Sequence, residues 1–106
     1  MNFRYMRVIV MFDLPVLTEE NRKEYRNFRR YLIKSGFLMM QESVYCKLAT
    51  NSNTANALVE NVKKNKPKCG LVQVLRITEK QYANMDFVVG ENQSDVLDSE
   101  ERMIII

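Results

Sequence analysis

The sequence predicts an α+β domain in which short strands alternate with two helices. Three observations predict it. Residues 6–12 form an apolar run rich in β-favouring side chains, and residues 71–78 form a second one. Between them, residues 19–35 and 52–65 place apolar side chains at the spacing of amphipathic helices. With 106 residues, the chain has the length of a single domain.

The first predicted strand is apolar on both of its faces. One face carries Met6, Val8, Val10 and Phe12. The other face carries Ile9 and Met11, and Arg7 is its polar member. Such a strand belongs in the centre of a sheet that is covered on both sides. Because two helices cover only one face of a small sheet, we expect a second copy of the chain to cover the other.

Asp13 ends this strand and is followed by a turn-forming Leu14-Pro15 pair. At the rim of the sheet, its carboxylate could meet the Asp13 of a second copy and share a metal ion. Alternatively, it could accept hydrogen bonds from backbone N–H groups of the turn between Leu14 and Thr18. The sequence leaves both alternatives open.

The first helix should begin after Thr18, a good N-cap residue, and end before Gly36, which suits the position after the C-cap. Its core side carries Tyr25, Phe28 and Leu32, with Tyr31 at the edge. Its outer side carries Arg22, Arg26, Arg29, Arg30 and Lys34. Because acidic residues do not alternate with these after Glu24, the basic side suits phosphate binding as well as solvation.

A hairpin and a second helix follow. Residues 37–41 and 44–49 are predicted to be strands joined by Glu42-Ser43. The second helix should start at an N-cap among residues 51–54 and end near Asn65. Its core face carries Ala55, Leu58, Val59 and Val62. The loop after it carries Lys63, Lys64, Lys66 and Lys68. These lysines either complement the C-terminal end of the helix or contact phosphates.

The remainder of the chain should add a strand at 71–78 beside the first one, a short helical turn at 79–85 and one more strand at 86–90. We expect residues 1–90 to form the core domain and residues 91–106 an acidic linker and a C-terminal strand. That last strand contains Met103, Ile104, Ile105 and Ile106 and should add to a sheet edge of the chain, its twin or a partner. The order βαββαβ with an extra strand is the ferredoxin-like arrangement, which hosts many activities.

The absence of histidine restricts the chemistry most. It excludes Ser-His and Cys-His nucleophiles, so that any hydrolysis would need carboxylates and a hard metal ion. Cys46 and Cys69 lack metal-binding spacing and are expected to be free thiols. No apolar run is long enough to span a membrane, so we expect a cytoplasmic protein that binds no membrane. The net charge of +3 is modest, but the basic residues concentrate in the first two thirds of the chain.

Several short stretches, in a fixed order, carry a resemblance to a known family. They are MFDLP at 11–15, YRNFRRYL at 25–32, GF at 36–37, QESVY at 41–45, NKPK at 65–68 and TEKQ at 78–81. With these, the chain resembles the second CRISPR-associated (Cas) protein family, the small adaptation subunit, and especially its type II-A kind. The resemblance implies a homodimer that sits between pairs of the CRISPR integrase subunit and helps to capture duplex DNA for spacer acquisition. It also implies a metal-dependent endonuclease of RNA or duplex DNA, with Asp13 as the catalytic residue and Mg²⁺ ligand.

We weigh these two functions by the residues that each requires. A metal-dependent phosphodiesterase normally needs several carboxylates, whereas Asp13 is the only convincing one in the chain. We therefore expect a non-catalytic scaffold whose two basic helix faces and lysine loops contact duplex phosphates. A single-stranded RNA-binding domain is disfavoured because its aromatic motifs are absent, and an oligomeric domain without nucleic acid is the remaining alternative.

Overall fold

The structure is a computed structural model that describes residues 5–90 of the chain. It contains four strands, β1 (Met6–Asp13), β2 (Leu38–Gln41), β3 (Val44–Ala49) and β4 (Leu71–Thr78), and three helices, α1 (Glu19–Lys34), α2 (Ser52–Lys64) and α3 (Glu79–Ala83). The strands form one sheet in the order β2-β3-β1-β4, in which all neighbours are antiparallel. The predicted ferredoxin-like α+β fold is confirmed, as is the central position of β1 beside β4.

The core lies between the sheet and the two long helices, which both pack on one face. Val8 and Val10 of β1 are completely buried there. Phe28 and Leu32 of α1 and Ala55, Val59 and Val62 of α2 cover them. Phe12 is the centre of an aromatic group, with its ring centroid 5.2 Å from Phe28, 5.8 Å from Tyr45 and 6.0 Å from Tyr25. The alternation predicted for β1 is therefore confirmed.

Local hydrogen bonds fix the helix ends near the predicted residues. The Thr18 side chain accepts from the backbone N–H of Asn21 and caps α1, and Asn51 caps α2 by accepting from Thr54. Gly36 follows the C-cap of α1 with a φ of +94°, a conformation that side chains disfavour. The ammonium of Lys47 then donates to the carbonyl of Ser35 at 2.5 Å. A cation from β3 thus stabilises the negative end of α1.

The face of the sheet opposite the two long helices, which we call the second face, carries Arg7, and α3 covers this arginine. Arg7 donates from Nε and Nη2 to the two carboxylate oxygens of Glu79, at 2.6 and 3.2 Å. Its guanidinium lies 4.4 Å from the ring centroid of Tyr82 and its Nη1 lies 3.6 Å from Cys46 Sγ. The hydrogen bonds that Arg7 donates to Glu79 raise the pKa of Arg7, while burial raises the pKa of Tyr82. These contacts satisfy the polar residue of a central strand and hold α3 against the sheet.

One predicted strand is wrong. Residues 86–90 contain no strand, because they form an irregular segment after α3. Phe87 and Val89 instead line a cavity of about 420 Å³ together with residues of β2 on the second face of the sheet. Their β propensity predicted a strand, but strand formation also needs an unpaired edge beside the segment, and this segment lies over a sheet face.

The second face remains partly open in a single chain. Leu48, Leu71 and Leu75 lie on it in register with Arg7, Asp13 and Ile9, and all three side chains are about half exposed. The predicted acidic linker and C-terminal strand at 91–106 lie outside the described residues. Both cysteines are free, as expected, with Cys46 buried and Cys69 exposed.

Candidate nucleic-acid interface

Asp13 is exposed at the rim of the second face, opposite Leu71 of β4. The backbone beside it is tightly packed. A Cβ on Gly70, whose φ is +101°, would lie 2.6 Å from Leu14 Cδ2 and 3.0 Å from the Asp13 carbonyl oxygen. A glycine is therefore required where the chain approaches Asp13 and enters β4.

The turn after Asp13 is held by other side chains. Arg22 donates from Nη1 to the carbonyls of Val16 at 3.1 Å and Leu17 at 3.3 Å, and Thr18 caps α1. Within residues 5–90, the Asp13 carboxylate takes part in none of the four ion pairs and accepts no hydrogen bond from the turn. The Asp13 oxygens therefore remain available to an external ligand.

The donor set for a metal ion at Asp13 is small. No group of three potential His, Cys, Asp or Glu ligands occurs in the part of the chain that the structure describes. A carboxylate oxygen is a donor that Mg²⁺ accepts, but one carboxylate per chain does not make a site. Mg²⁺ at this rim would therefore need Asp13 from two copies of the chain. The Mg²⁺ site at Asp13 stays a prediction.

The structure gathers most of the basic residues of α1 around one concavity, which we call the α1 groove. It has a volume of about 610 Å³ and lies between α1 and the β2–β3 hairpin. Its basic lining consists of Arg26, Arg29, Arg30 and Lys34. None of these four belongs to an ion pair among residues 5–90. Their positive charge is therefore available to an anionic ligand.

Arg29 is fixed in this groove by a buried hydroxyl group. Its Nε donates to Tyr45 Oη at 2.9 Å, and Tyr45 is only 1% exposed. The hydrogen bond uses one of the five N–H groups of the guanidinium. The remaining N–H groups can donate to a ligand from an already restricted side chain.

Arg22 was predicted to belong to the same basic face but lies apart from the groove. Besides the two carbonyls of the turn, it contacts Glu19, with Nη2 at 2.9 Å from Oε1. The ion pair between these exposed side chains reduces the attraction of Arg22 for a phosphate. Its position near the start of α1 explains the difference, because the acidic first turn of the helix lies there.

The lysine loop is tied to α1. The backbone N–H of Lys68 donates to Glu24 Oε1 at 3.1 Å, and its ammonium lies 3.4 Å from Glu20 Oε2. Lys63 pairs with Glu60 at 3.3 Å. Lys64 and Lys66 are exposed, and neither belongs to an ion pair of the described chain. Of the four lysines, these two have the most available charge.

Five groove residues were not predicted as site residues. Tyr25 and Ile33 belong to α1, and Met39, Glu42 and Tyr45 belong to the hairpin. The helical period of α1 predicts which residues share a face of that helix. It does not predict that the β2–β3 hairpin lies beside α1 in the fold. The predicted partner-binding residues Met103, Ile104, Ile105 and Ile106 lie outside the described residues. Among residues 5–90, no helix is both long and apolar enough to cross a membrane.

Comparison with known proteins gives a consistent result. Residues 6–85 match the model of the family described as CRISPR associated protein Cas2. A protein of Treponema denticola is 54% identical over 101 residues, which are 95% of this chain and 100% of that protein. A protein of Streptococcus mutans is 43% identical over 95% of this chain and 93% of its own length. A protein of Lacticaseibacillus rhamnosus is 44% identical over 95% of this chain and its own full length.

All three relatives are named CRISPR-associated endoribonuclease Cas2. The resemblance found in the sequence is therefore confirmed, and the streptococcal relative agrees with a type II-A-like member.

Proposed function

Because this chain belongs to the CRISPR associated protein Cas2 family, which takes part in CRISPR adaptation, we propose that it is a dimeric, non-catalytic scaffold of the adaptation complex. In this role it binds duplex DNA through the phosphate backbone and bridges integrase subunits during spacer acquisition. Adaptation must accept DNA of any sequence, so that contacts with phosphates suit it better than contacts with bases.

The single observation that carries this proposal is the unpaired positive charge of the α1 groove. Three guanidinium groups and one ammonium group surround it without an ion-pairing acid among the described residues. Arginine can donate two parallel hydrogen bonds to one phosphate. Lys64 and Lys66 supply further exposed positive charge on the same chain. Two copies related by a twofold axis would present two such basic surfaces to one duplex.

The second face of the sheet supports the dimer in this proposal. Leu48, Leu71 and Leu75 are about half exposed there, and Leu38 is 70% exposed. Leucines grouped on one sheet face favour contact with another protein surface. The same face places Asp13 at its rim, where it could approach the Asp13 of a second copy.

Co-purification tests the scaffold directly. The chain is expressed with the integrase subunit, mixed with a blunt duplex and analysed by light scattering. We expect one complex that contains two copies of this chain, integrase subunits and duplex DNA. A complex of integrase and DNA that excludes this chain, or that contains a single copy of it, would contradict the proposal.

The alternative function is metal-dependent cleavage of RNA or duplex DNA through Asp13. It is favoured by the name of the three relatives, CRISPR-associated endoribonuclease Cas2, and by the exposed Asp13 carboxylate. Bound Mg²⁺ would supply an activated water and neutralise charge on the phosphodiester. Asp13 from two copies would hold the ion, and the chain offers no histidine as a general base. We place this function second because each copy contributes a single carboxylate.

Replacing Asp13 with alanine separates the two functions. We expect Asp13→Ala to abolish any Mg²⁺-dependent cleavage by the protein, because the substitution removes its candidate metal ligand. Integrase-dependent capture of duplex DNA should stay within about twofold of wild type, since the basic groove is unchanged. Asp86→Ala is the matched control, because Asp86 is also an exposed carboxylate. Loss of capture in Asp13→Ala alone would favour the enzymatic function.

A further inference from the structure

We propose that the α1 groove binds one unpaired DNA nucleotide, with its phosphate on the guanidinium groups and its base against the apolar lining. This inference rests on the proposed DNA scaffold and adds a structural feature of the DNA that this chain would bind. A duplex backbone needs only exposed positive charge, whereas the groove combines charge, a concave shape and apolar surface.

The shape of the groove is the first argument. Its volume of about 610 Å³ falls in the range of small-molecule binding sites, roughly 300–1,000 Å³. The phosphates of duplex DNA lie on the outside of a convex rod, so that they can be bound by exposed cationic side chains without a cavity. A splayed nucleotide has both a phosphate and a base to place, and it needs a concave site.

The lining supplies a surface for the base. Ile33 and Met39 line the groove with side chains that are 48% and 53% exposed, and Tyr25 lines it as well. Exposed apolar side chains next to arginines do not strengthen a purely ionic contact. They do suit the flat face of an unstacked base, which packs on apolar and aromatic side chains and on guanidinium planes.

The polar groups of the lining fit the phosphate of a nucleotide and the amino group of its base. Arg29 is restricted by Tyr45 Oη at 2.9 Å, which lowers the conformational cost of binding a phosphate. Glu42 is the one carboxylate among the lining residues. A carboxylate weakens the attraction for a phosphate, but it can accept a hydrogen bond from the amino group of a base.

The test compares a labelled single strand of mixed sequence with a blunt duplex of the same sequence, by fluorescence anisotropy on the full chain. The double variant Ile33→Ser with Met39→Ser removes apolar surface from the groove and leaves every charge in place. We expect it to weaken single-strand binding about tenfold, or about 1.4 kcal/mol, and duplex binding by less than about twofold. Leu17→Ser is the matched control, because Leu17 is 87% exposed and lies outside the groove.

Ile33→Ser alone is the second variant and keeps the test valid if the double variant fails to fold. We expect it to give a smaller loss, which is again selective for the single strand. Unchanged binding of the single strand, or equal losses for both DNAs, would overturn the nucleotide site. Neither result would affect the duplex scaffold, which instead fails if charge reversal in the groove leaves duplex binding intact.

Discussion

Replacing Arg26 and Arg30 with glutamate should weaken duplex DNA binding and flatten its dependence on salt. Both arginines line the α1 groove, and neither has an ion-pairing partner among residues 5–90. A dimer would lose up to four phosphate contacts. The negative slope of log K against log salt then becomes shallower by about 3.6. Between about 50 and about 200 mM salt, wild-type affinity should then fall about a hundredfold more than that of the variant.

Anisotropy titrations at several salt concentrations measure this slope. The double variant Lys23→Glu with Lys80→Glu is the control, because it makes the same change in net charge. Both lysines are exposed, and neither lines the α1 groove. We expect its slope to differ from wild type by less than about one. If the control and the groove variant gave equal slopes, net charge rather than the groove would account for binding.

Replacing Phe12 with alanine should lower the free energy of unfolding by about 3–5 kcal/mol. Phe12 is 6% exposed and contacts the rings of Tyr25, Phe28 and Tyr45. The variant leaves a cavity where β1, β3 and α1 meet.

Urea denaturation measures this effect, with Leu17→Ala as the matched control. Leu17 is 87% exposed, so its truncation should change stability by less than about 0.5 kcal/mol. A loss below about 1 kcal/mol for Phe12→Ala would mean that the aromatic group is not central to the fold. DNA binding by the variant, measured well below its unfolding transition, should remain within a few fold of wild type.

The parts of the fold that depend on local sequence were predictable. The alternation of β1, the cap at Thr18 and the glycine after α1 were predicted at the residues where the structure has them. For α2 the sequence predicted a cap among residues 51–54, and the structure has it at Asn51. Strand order followed from recognising the βαββαβ arrangement. The segment at 86–90 was predicted wrongly because a strand needs a partner edge, which local propensity does not contain.

The candidate site was predictable only in part. The period of α1 identified Arg26, Arg29 and Arg30, which the structure does bring together. It could not show that Arg22 binds the preceding turn or that Lys68 contacts Glu20, because those contacts depend on the exit of β1 and the return of the loop after α2. The contribution of the hairpin to the groove is a long-range contact of the same kind.

The most direct test of the scaffold is integration of a supplied duplex by the purified adaptation complex, with Asp13→Ala and the Arg26→Glu, Arg30→Glu variant measured side by side. We expect Asp13→Ala to support integration within about twofold of wild type and the arginine variant to lose most of it. If Asp13→Ala abolished integration while the arginine variant retained it, the chain would act through its carboxylate and not as a phosphate-binding scaffold.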